Sequence, residues 1–578
     1  MMKSANKGVL LSDLYRLVHD EQQAVHHQLM TTWARPLQEK LKKGITQGFI
    51  RLEHGFESDT LWVYPDDTES RFREGDLLCL HQGEVLEPLC RELTFEFEED
   101  DRWLLRGNRV ATVFDDYAGG VCYADPDAMD LTGFYEQALE EIGTSTAGKK
   151  ILLPLFSGEL DIAFDEADMA EAIDIARAEG YNDRQAEAVG WAHGARHVAC
   201  IQGPPGTGKT RVLALIARLA VARGERILMT SHTHMAINNA LNKIHEEGVP
   251  VVKVGRATQR NGLDDAIPNF ETLDSWEERP TDGHVVGAPP FATCTSRLAD
   301  YLFDTILFDE ASQITIPLAL MAMRKGGRFI FIGDQRQLPP VLLSRSVLDK
   351  EAHSVFSRLT AREAEHLVML DETYRMNRWL ADWPSRAFYG GALRAVGKNR
   401  ERNLNLRNIP PRFSAALAGE SPAVFIPTPD TSTRAKNRKE AELVADLCAA
   451  IVAGGLPLAG IGIVSPYRAQ GRLLRNLLAG RFGHAAARQV VADTVERMQG
   501  QERELVILSL ATGDKTFLSA VAGFFFQPER LNVSITRAMT KLIVIGPEDI
   551  PIPDDDETIR QWMASYLDMI GHCRRVVL

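Results

Sequence analysis

The stretch "CIQGPPGTGKTRV", Cys200 to Val212, sets a lysine and a threonine directly after a glycine-rich turn. Gly203, Gly208, Lys209 and Thr210 fit the pattern of glycine, four residues, then glycine, lysine and serine or threonine. In such a loop the glycines let the backbone approach a pyrophosphate, and the helix that follows aims free N–H groups at the anion. Lys209 can reach the β- and γ-phosphates, and Thr210 can ligand Mg²⁺. The loop Gly203, Pro204, Pro205, Gly206, Thr207, Gly208, Lys209, Thr210 is therefore read as binding ATP.

Further residues suit the same chemistry. "ILFDEASQ" (306–313) puts Asp309 and Glu310 at the end of an apolar strand, where an open parallel sheet keeps its reactive groups. Asp309 is suited to hold Mg²⁺, and Glu310 to orient and deprotonate an attacking water. "FIGDQRQLPPV" (331–341) also follows a strand, and its Gln337 amide suits a γ-phosphate sensor. Gln185, in "NDRQAEAV" (182–189), can donate and accept at an adenine edge, although a helix-surface glutamine has the same look. Phosphoryl transfer needs cations around the γ-phosphate. Arg375 in "LDETYRMN" (370–377) and Arg537 in "RLNVSITRA" (530–538) offer two. If both reach the nucleotide, ATP lies between two domains and its hydrolysis is coupled to their closure.

These residues need elements to hold them. The apolar run Val198 to Ile201 reads as the strand entering the loop; Val212, Leu215, Ile216 and Leu219 mark the helix leaving it, up to Gly224. Further strands are expected at 227–231, 305–308, 328–332, 423–426, 461–465, 505–510 and 541–545. Apolar strands spaced by helices imply parallel sheets covered on both faces. The set makes two α/β domains, 181–368 and 369–548. Upstream, 9–43 has helix-period apolar positions with a kink expected at Pro36. "GFIRLE", "TLWVYP", "DLLCLH", "LTFEFEE", "WLLRG" and "VATVF", within 48–123, read as strands of a small β-barrel, with Leu93, Phe95 and Phe97 alternating inward. Residues 125–143 read as a capped helix. The expected layout is a helical stalk with the barrel over 1–143, a linker over 144–180, the two α/β domains, and a C-terminal helical tail over 549–578. The tail's Ile559, Trp562, Met563, Tyr566, Leu567 and Ile570 share one face, which either packs on the second domain or docks a partner.

A chain of 578 residues has room for three to four domains at ~150 residues each. Its seven cysteines form no Cys-x-x-Cys pair, which argues against zinc, an iron–sulfur cluster or a disulfide framework and fits a reducing cytoplasm. No apolar run approaches the ~20 residues of a membrane helix, and the first residues lack a secretory pattern. The chain is read as cytoplasmic and away from membranes. A net charge of −14 counts against a protein that coats nucleic acid, but a basic channel on an acidic body remains open. Basic stretches lie at 386–412 and 434–439, where solvated loops are an equal explanation.

The ordered series "GPPGTGKT", "DEASQ", "GDQRQLPPV", "TYRMN", "SPYRAQ", "TVERMQGQE" and "RLNVSITRA", across about 180–547, resembles the superfamily 1 helicases of the upframeshift type. The resemblance implies two tandem RecA-like domains behind a barrel on a helical stalk. It implies ATP between the domains, single-stranded nucleic acid across their top, and movement 5′ to 3′. By the same resemblance Gln185 reads adenine, Tyr374 flanks the base, Glu502 follows the Gln499–Gly500 pair near the nucleotide, and Arg375 and Arg537 are arginine fingers. Ser231 and Thr233 in "TSHTHMAINN", Thr293 in "ATCTS", Pro466 and Tyr467 in "SPYRAQ", and Thr494 in "TVERMQGQE" fall in the strand-contact motifs. Thr373, Asn377, Met498 and His234 depart from the residues usual there, and the 256–290 segment looks reduced where an accessory insertion is often found. No nuclease constellation is read in the N-terminal part. Two functions stay open. One is an ATP-driven helicase or translocase on single-stranded DNA or RNA. The other is a strand-stimulated ATPase clamp that recruits protein partners through the barrel or the C-terminal helix. A metabolic P-loop kinase would leave the two arginine motifs unexplained. The chain is read as a monomer.

Overall fold

A computed structural model describes residues 9–66, 70, 72, 74–99, 102–117, 119–344, 353–361, 366–428, 430–550 and 556–578. The chain forms two compact units: Met1–Leu160 with Arg256–Gln259 and Val341–Lys350, and Asp161–Gly255 with Arg260–Pro340 and Glu351–Leu578.

In the first unit a long helix, Leu11–Trp33, gives way at Pro36 to a short one, Leu37–Lys42. Pro36 stands just ahead of the second helix, where its missing N–H and fixed φ do no harm. The barrel strands are β1 (Gln47–His54), β2 (Thr60–Pro65), β3 (Leu77–His81), β4 (Cys90–Glu99), β5 (Arg102–Arg106) and β6 (Cys122–Pro126). They close in the order β1-β2-β5-β4-β3-β6, all antiparallel. Phe49, Leu61, Val63, Leu78, Leu80, Leu93, Phe95, Trp103 and Leu105 fill its core. The expected inward turn of Phe97 fails because the register shifts between Phe95 and Phe97, leaving Phe97 half-buried against Trp62. "VATVF" is not the sixth strand. Val110 and Val113 are spaced by three, so a 3₁₀ turn (Val110–Thr112) and a short helix (Val113–Asp116) bury both together. "CYADP" closes the barrel instead, and the helix expected from 125 begins at Thr132.

A buried charge cluster ties the stalk to the barrel. The Lys40 ammonium donates to Asp125, as does the Thr46 hydroxyl, and His81 Nε2 lies 3.3 Å from the same carboxylate. Burial alone would raise the Asp125 pKa; hydrogen bonds from His81, Lys40 and Thr46 outweigh it and hold the acid below 3.8. A depressed folded pKa gives stability that is present above the unfolded value and lost as pH falls through the folded one. Asp125→Asn is therefore expected to cost about 3–5 kcal/mol at neutral pH, since it strands Lys40. It should also flatten the acid limb of stability. Thermal unfolding across pH 2–7 checks both, and an acid limb unchanged from wild type counts against the cluster.

Residues 144–180, expected as a linker, are largely helical, and the boundary between the two units falls within them, between Leu160 and Asp161. Gly148–Leu152 and Leu153–Ser157 are helical, and Glu166–Ala178 is a capped helix whose Ala172 and Ala176 enter the core of the second unit. These two alanines are four apart and so face one side, which lets this helix lie close on the helix Asp183–Gly194.

The second unit carries two parallel sheets. The first consists of β7 (Val198–Gln202), β8 (Arg226–Thr230), β9 (Val251–Val254), β10 (Asn269–Phe270), β11 (His284–Gly287), β12 (Thr305–Phe308), β13 (Arg328–Gly333) and β14 (Leu367–Met369). Their order is β10-β9-β11-β8-β12-β13-β7-β14. β9, β11 and β14 lie outside the expected strands. A small parallel pair, β15 (Glu372–Thr373) and β16 (Arg394–Ala395), leads to the second sheet. That sheet holds β17 (Ala423–Pro427), β18 (Ile461–Val464), β19 (Val491–Asp493), β20 (Arg503–Ser509), β21 (Ala538–Gly546) and β22 (Arg574–Arg575), in the order β19-β18-β20-β21-β17-β22. The expected tail is part of this domain. Met563, Tyr566, Met569 and Ile570 of the helix Glu557–His572 are in its core, with Ile559, Trp562 and Leu567 packed against it. The apolar face is thus spent on packing within this domain.

Candidate active site

The buried strand β7 delivers the glycine-rich loop. Gly203 N donates to Gly333 O (2.9 Å), holding the loop against the neighbouring β13. Gly206 and Gly208 have φ of +75° and +81°, in the left-handed region. A Cβ on Gly206 would lie 2.4 Å from the Arg375 Cβ, so the second domain stands hard against the loop. Lys209 opens the helix Lys209–Ala222, and its ammonium donates to Gly203 O (2.6 Å).

A cavity of about 330 Å³ lies between the two sheet domains. The first domain lines it with residues 205–211, Glu310 and Gln337, and the second with Tyr374, Arg375, Asn399, Gly500, Glu502, Arg537 and Met539. Arg537 is 2% exposed. Its guanidinium donates to Val533 O (3.0 Å) and Gln337 Oε1 (3.4 Å), and no carboxylate is among its hydrogen-bond partners in the described residues. Burial, then the nearby Arg375, pulls its pKa down to about 9. Arg375 donates to Glu502 (2.8 Å) and Thr536 O (3.1 Å). Arg375 is paired with Glu502, but Arg537 has no hydrogen-bonded carboxylate among the described residues and Lys209 is held by a carbonyl, so the cavity presents cationic groups that no carboxylate contacts directly. A triphosphate fits these groups.

Acid residues sit at the first domain's strand ends. Glu310 follows β12 with φ of +50°, a left-handed backbone for a residue with a Cβ, and accepts from Gln499 Nε2 (3.3 Å). Asp309 is buried beside it; burial and then the Glu310 carboxylate raise its pKa, against the pull of Lys209. A buried acid held off its charged state is a group that a cation would complete, so Thr210 and Asp309 suit a divalent ion. Gln337 is buried, with Nε2 donating to Asp334 (2.9 Å).

The structure differs from expectation at several positions. Gln185 does not line the cavity. Its Nε2 donates to Thr207 O (3.0 Å) and its Oε1 accepts from Asn182 N (3.2 Å), so it braces the loop and caps its own helix. Tyr374 is exposed at the cavity mouth, its hydroxyl 3.1 Å from both Asn182 Nδ2 and Glu372. Asn399, which no motif marks, holds the Tyr374 carbonyl (2.6 Å). The departure at Asn377 has a local reason: it caps the helix Arg378–Phe388 and donates to Thr540 O (3.2 Å). Met498 is buried under Gly462, and Thr373 Oγ1 accepts from Arg375 N (3.4 Å).

The strand-contact positions follow β8, β11, β18 and β19, at the carboxyl ends of their sheets. Ser231 is buried, and its hydroxyl has no hydrogen-bond partner among the described residues; the Thr233 hydroxyl caps the helix His234–Glu246. Tyr467 is half-buried and accepts from Thr512 (3.1 Å). Pro466 borders a small apolar cavity of about 30 Å³ with Phe524, and Thr494 precedes the turn Val495–Met498. Thr293 breaks the pattern: its hydroxyl donates inward to Pro290 O (2.7 Å) and Met321 O (3.0 Å), away from any groove. The basic stretches are largely ion-paired surface, with Arg386 on Asp382, Arg394 on Asp371, Arg402 on Glu504 and Arg434 on Asp514.

Two family models, each described as an AAA domain, match residues 180–403 and 352–549. Together the two matches span 180–549. The similarity extends to the DNA replication ATP-dependent helicase/nuclease DNA2 of Saccharomyces cerevisiae, 28% identical over 397 residues, covering 63% of this chain and 26% of that protein. The protein of the same name from Homo sapiens is 28% identical over 403 residues, covering 64% of this chain and 37% of its own length. The chain thus spans well under half the length of these relatives. A solved arterivirus nonstructural protein 10 helicase covers 91% of this chain and 82% of its own at 12% identity, with a TM-score of 0.39. Among the described residues, no helix is long and apolar enough to cross a membrane.

Proposed function

We propose that the chain is an ATP-dependent helicase or translocase that moves 5′ to 3′ along single-stranded nucleic acid. The observation that carries this reading is the cavity that faces Lys209 and Thr210 of one domain with Arg375 and Arg537 of the other. Lys209 and the loop N–H groups hold the phosphates, and Gln337 senses the γ-phosphate. Glu310 accepts the proton of the attacking water, while Arg537 and Arg375 balance the charge that shifts onto the leaving group. Mg²⁺ at Thr210 and Asp309 would add charge neutralisation at the phosphates. Once the anion leaves, the cations of the two domains face each other without a counter-charge, which favours opening. Closure and opening, with each domain gripping the strand in turn near Thr233, Pro466, Tyr467 and Thr494, would ratchet it one way. The names of the relatives support DNA as the first strand to test, and the free thiols of all seven cysteines support a reducing compartment.

Two partial duplexes, one with a 5′ single-stranded tail and one with a 3′ tail, decide the matter under excess ATP. Release from the 5′-tailed substrate alone is expected. Release from the 3′-tailed one reverses the polarity. Strand-stimulated ATP turnover with no release from either leaves the clamp as the function.

A further inference from the structure

A buried hydrogen-bond relay crosses from the second domain to the γ-phosphate sensor. Asp334, one residue past β13, is 1% exposed. Its Oδ2 accepts from Gln337 Nε2 (2.9 Å) and from the Tyr389 hydroxyl (2.7 Å). Tyr389 ends the helix Arg378–Phe388 and accepts in turn from Asn532 Nδ2 (2.8 Å). Asn532, fully buried on the helix Pro528–Ile535, returns a second hydrogen bond to Arg336 O (2.7 Å) in the first domain. Burial, then the Asp334 carboxylate, keeps the Tyr389 phenol far above its usual pKa of 10.0, so it is a donor at any working pH.

The consequence falls on the Gln337 amide. A glutamine amide has a donor end and an acceptor end, and only one orientation suits a given set of partners. Asp334 takes the donor end, which leaves Oε1 toward Arg537 Nη2 (3.4 Å). We propose that Tyr389 and Asn532 are positioning residues for hydrolysis, which fix Asp334 and through it the Gln337 amide when the two domains meet. Neither touches the cavity, so both act through Gln337. The inference rests on the ATPase reading above.

A double-mutant cycle tests it, with ATP turnover read at saturating single strand and enzyme concentrations high enough to follow slow variants. Tyr389→Phe keeps the ring and removes the donor. It is expected to lower kcat about tenfold, about 1.4 kcal/mol in the barrier, with KM for ATP within about twofold. In a Gln337→Ala background the same substitution should change kcat by less than about twofold, because the group it acts through is gone. A merely structural role would lower the melting temperature and cost the same factor in both backgrounds, and that result overturns the inference. So does full kcat for Tyr389→Phe. If Tyr389→Phe does not fold, Asn532→Ala takes its place in the same cycle under the same criteria. A wild-type protein without strand-stimulated turnover overturns the proposed function itself; an active wild type with an additive cycle overturns this inference alone.

Discussion

Replacing Arg537 by glutamine is expected to lower kcat by about 10³–10⁵, the contribution of an arginine finger, while ATP affinity changes little. The reason lies in its surroundings. Arg537 is buried beside Arg375, no carboxylate is among its described hydrogen-bond partners, and it lines the same cavity as Lys209 and Thr210, which in the proposed function holds the γ-phosphate. Its value rises as negative charge develops there, which is a kcat effect. Glutamine is a better probe than alanine, because Arg537 fills a closed space and alanine would add a cavity and a loss of stability. Arg537→Lys separates charge from geometry, since lysine keeps the charge and loses the planar fork. Turnover, binding of a fluorescent ATP analogue and a melting curve together check the claim. A near-normal kcat in a folded glutamine variant takes Arg537 out of the site.

Glu310→Gln should lower turnover by about 10²–10⁴ and still bind ATP. Glutamine has the shape of the carboxylate and can still accept from Gln499, so the local packing is kept. What it loses is the capacity to take a proton from water. The bound state should therefore outlive that of the wild type, and its grip on a single strand should persist while ATP stays uncleaved. A variant that turns over ATP at the normal rate would assign the base to another group.

The glycine-rich loop, the Asp309–Glu310 pair and both arginines were legible because each rests on a short motif next to a strand. The structure brings Lys209, Thr210, Glu310, Gln337, Arg375 and Arg537 to one cavity. Gln185 was less legible, since an amide that suits an adenine edge suits a loop carbonyl equally well. Thr293 lies in a strand-contact motif, but the direction of a hydroxyl depends on a 3₁₀ turn that the motif does not encode. The sixth barrel strand was misplaced because "VATVF" has strand composition but helical spacing of its buried valines. The relay through Tyr389 could not be read at all. Its partners are 55 and 143 residues away, and nothing local marks a tyrosine that ends a helix as a bridge.

The position of β17 bears on how the chain is made. In its sheet β17 lies between β21 and β22, yet it is synthesised long before either. While a ribosome works from Pro427 toward Ala538, a short apolar strand waits with both edges bare. Bare edges are templates for other chains. Products that stop within that interval are expected to aggregate, and the second domain should assemble last, after the nucleotide loop's own sheet has formed. Pulse-labelled nascent chains probed with protease would show that order as early protection of β7 to β14 and late protection of β17.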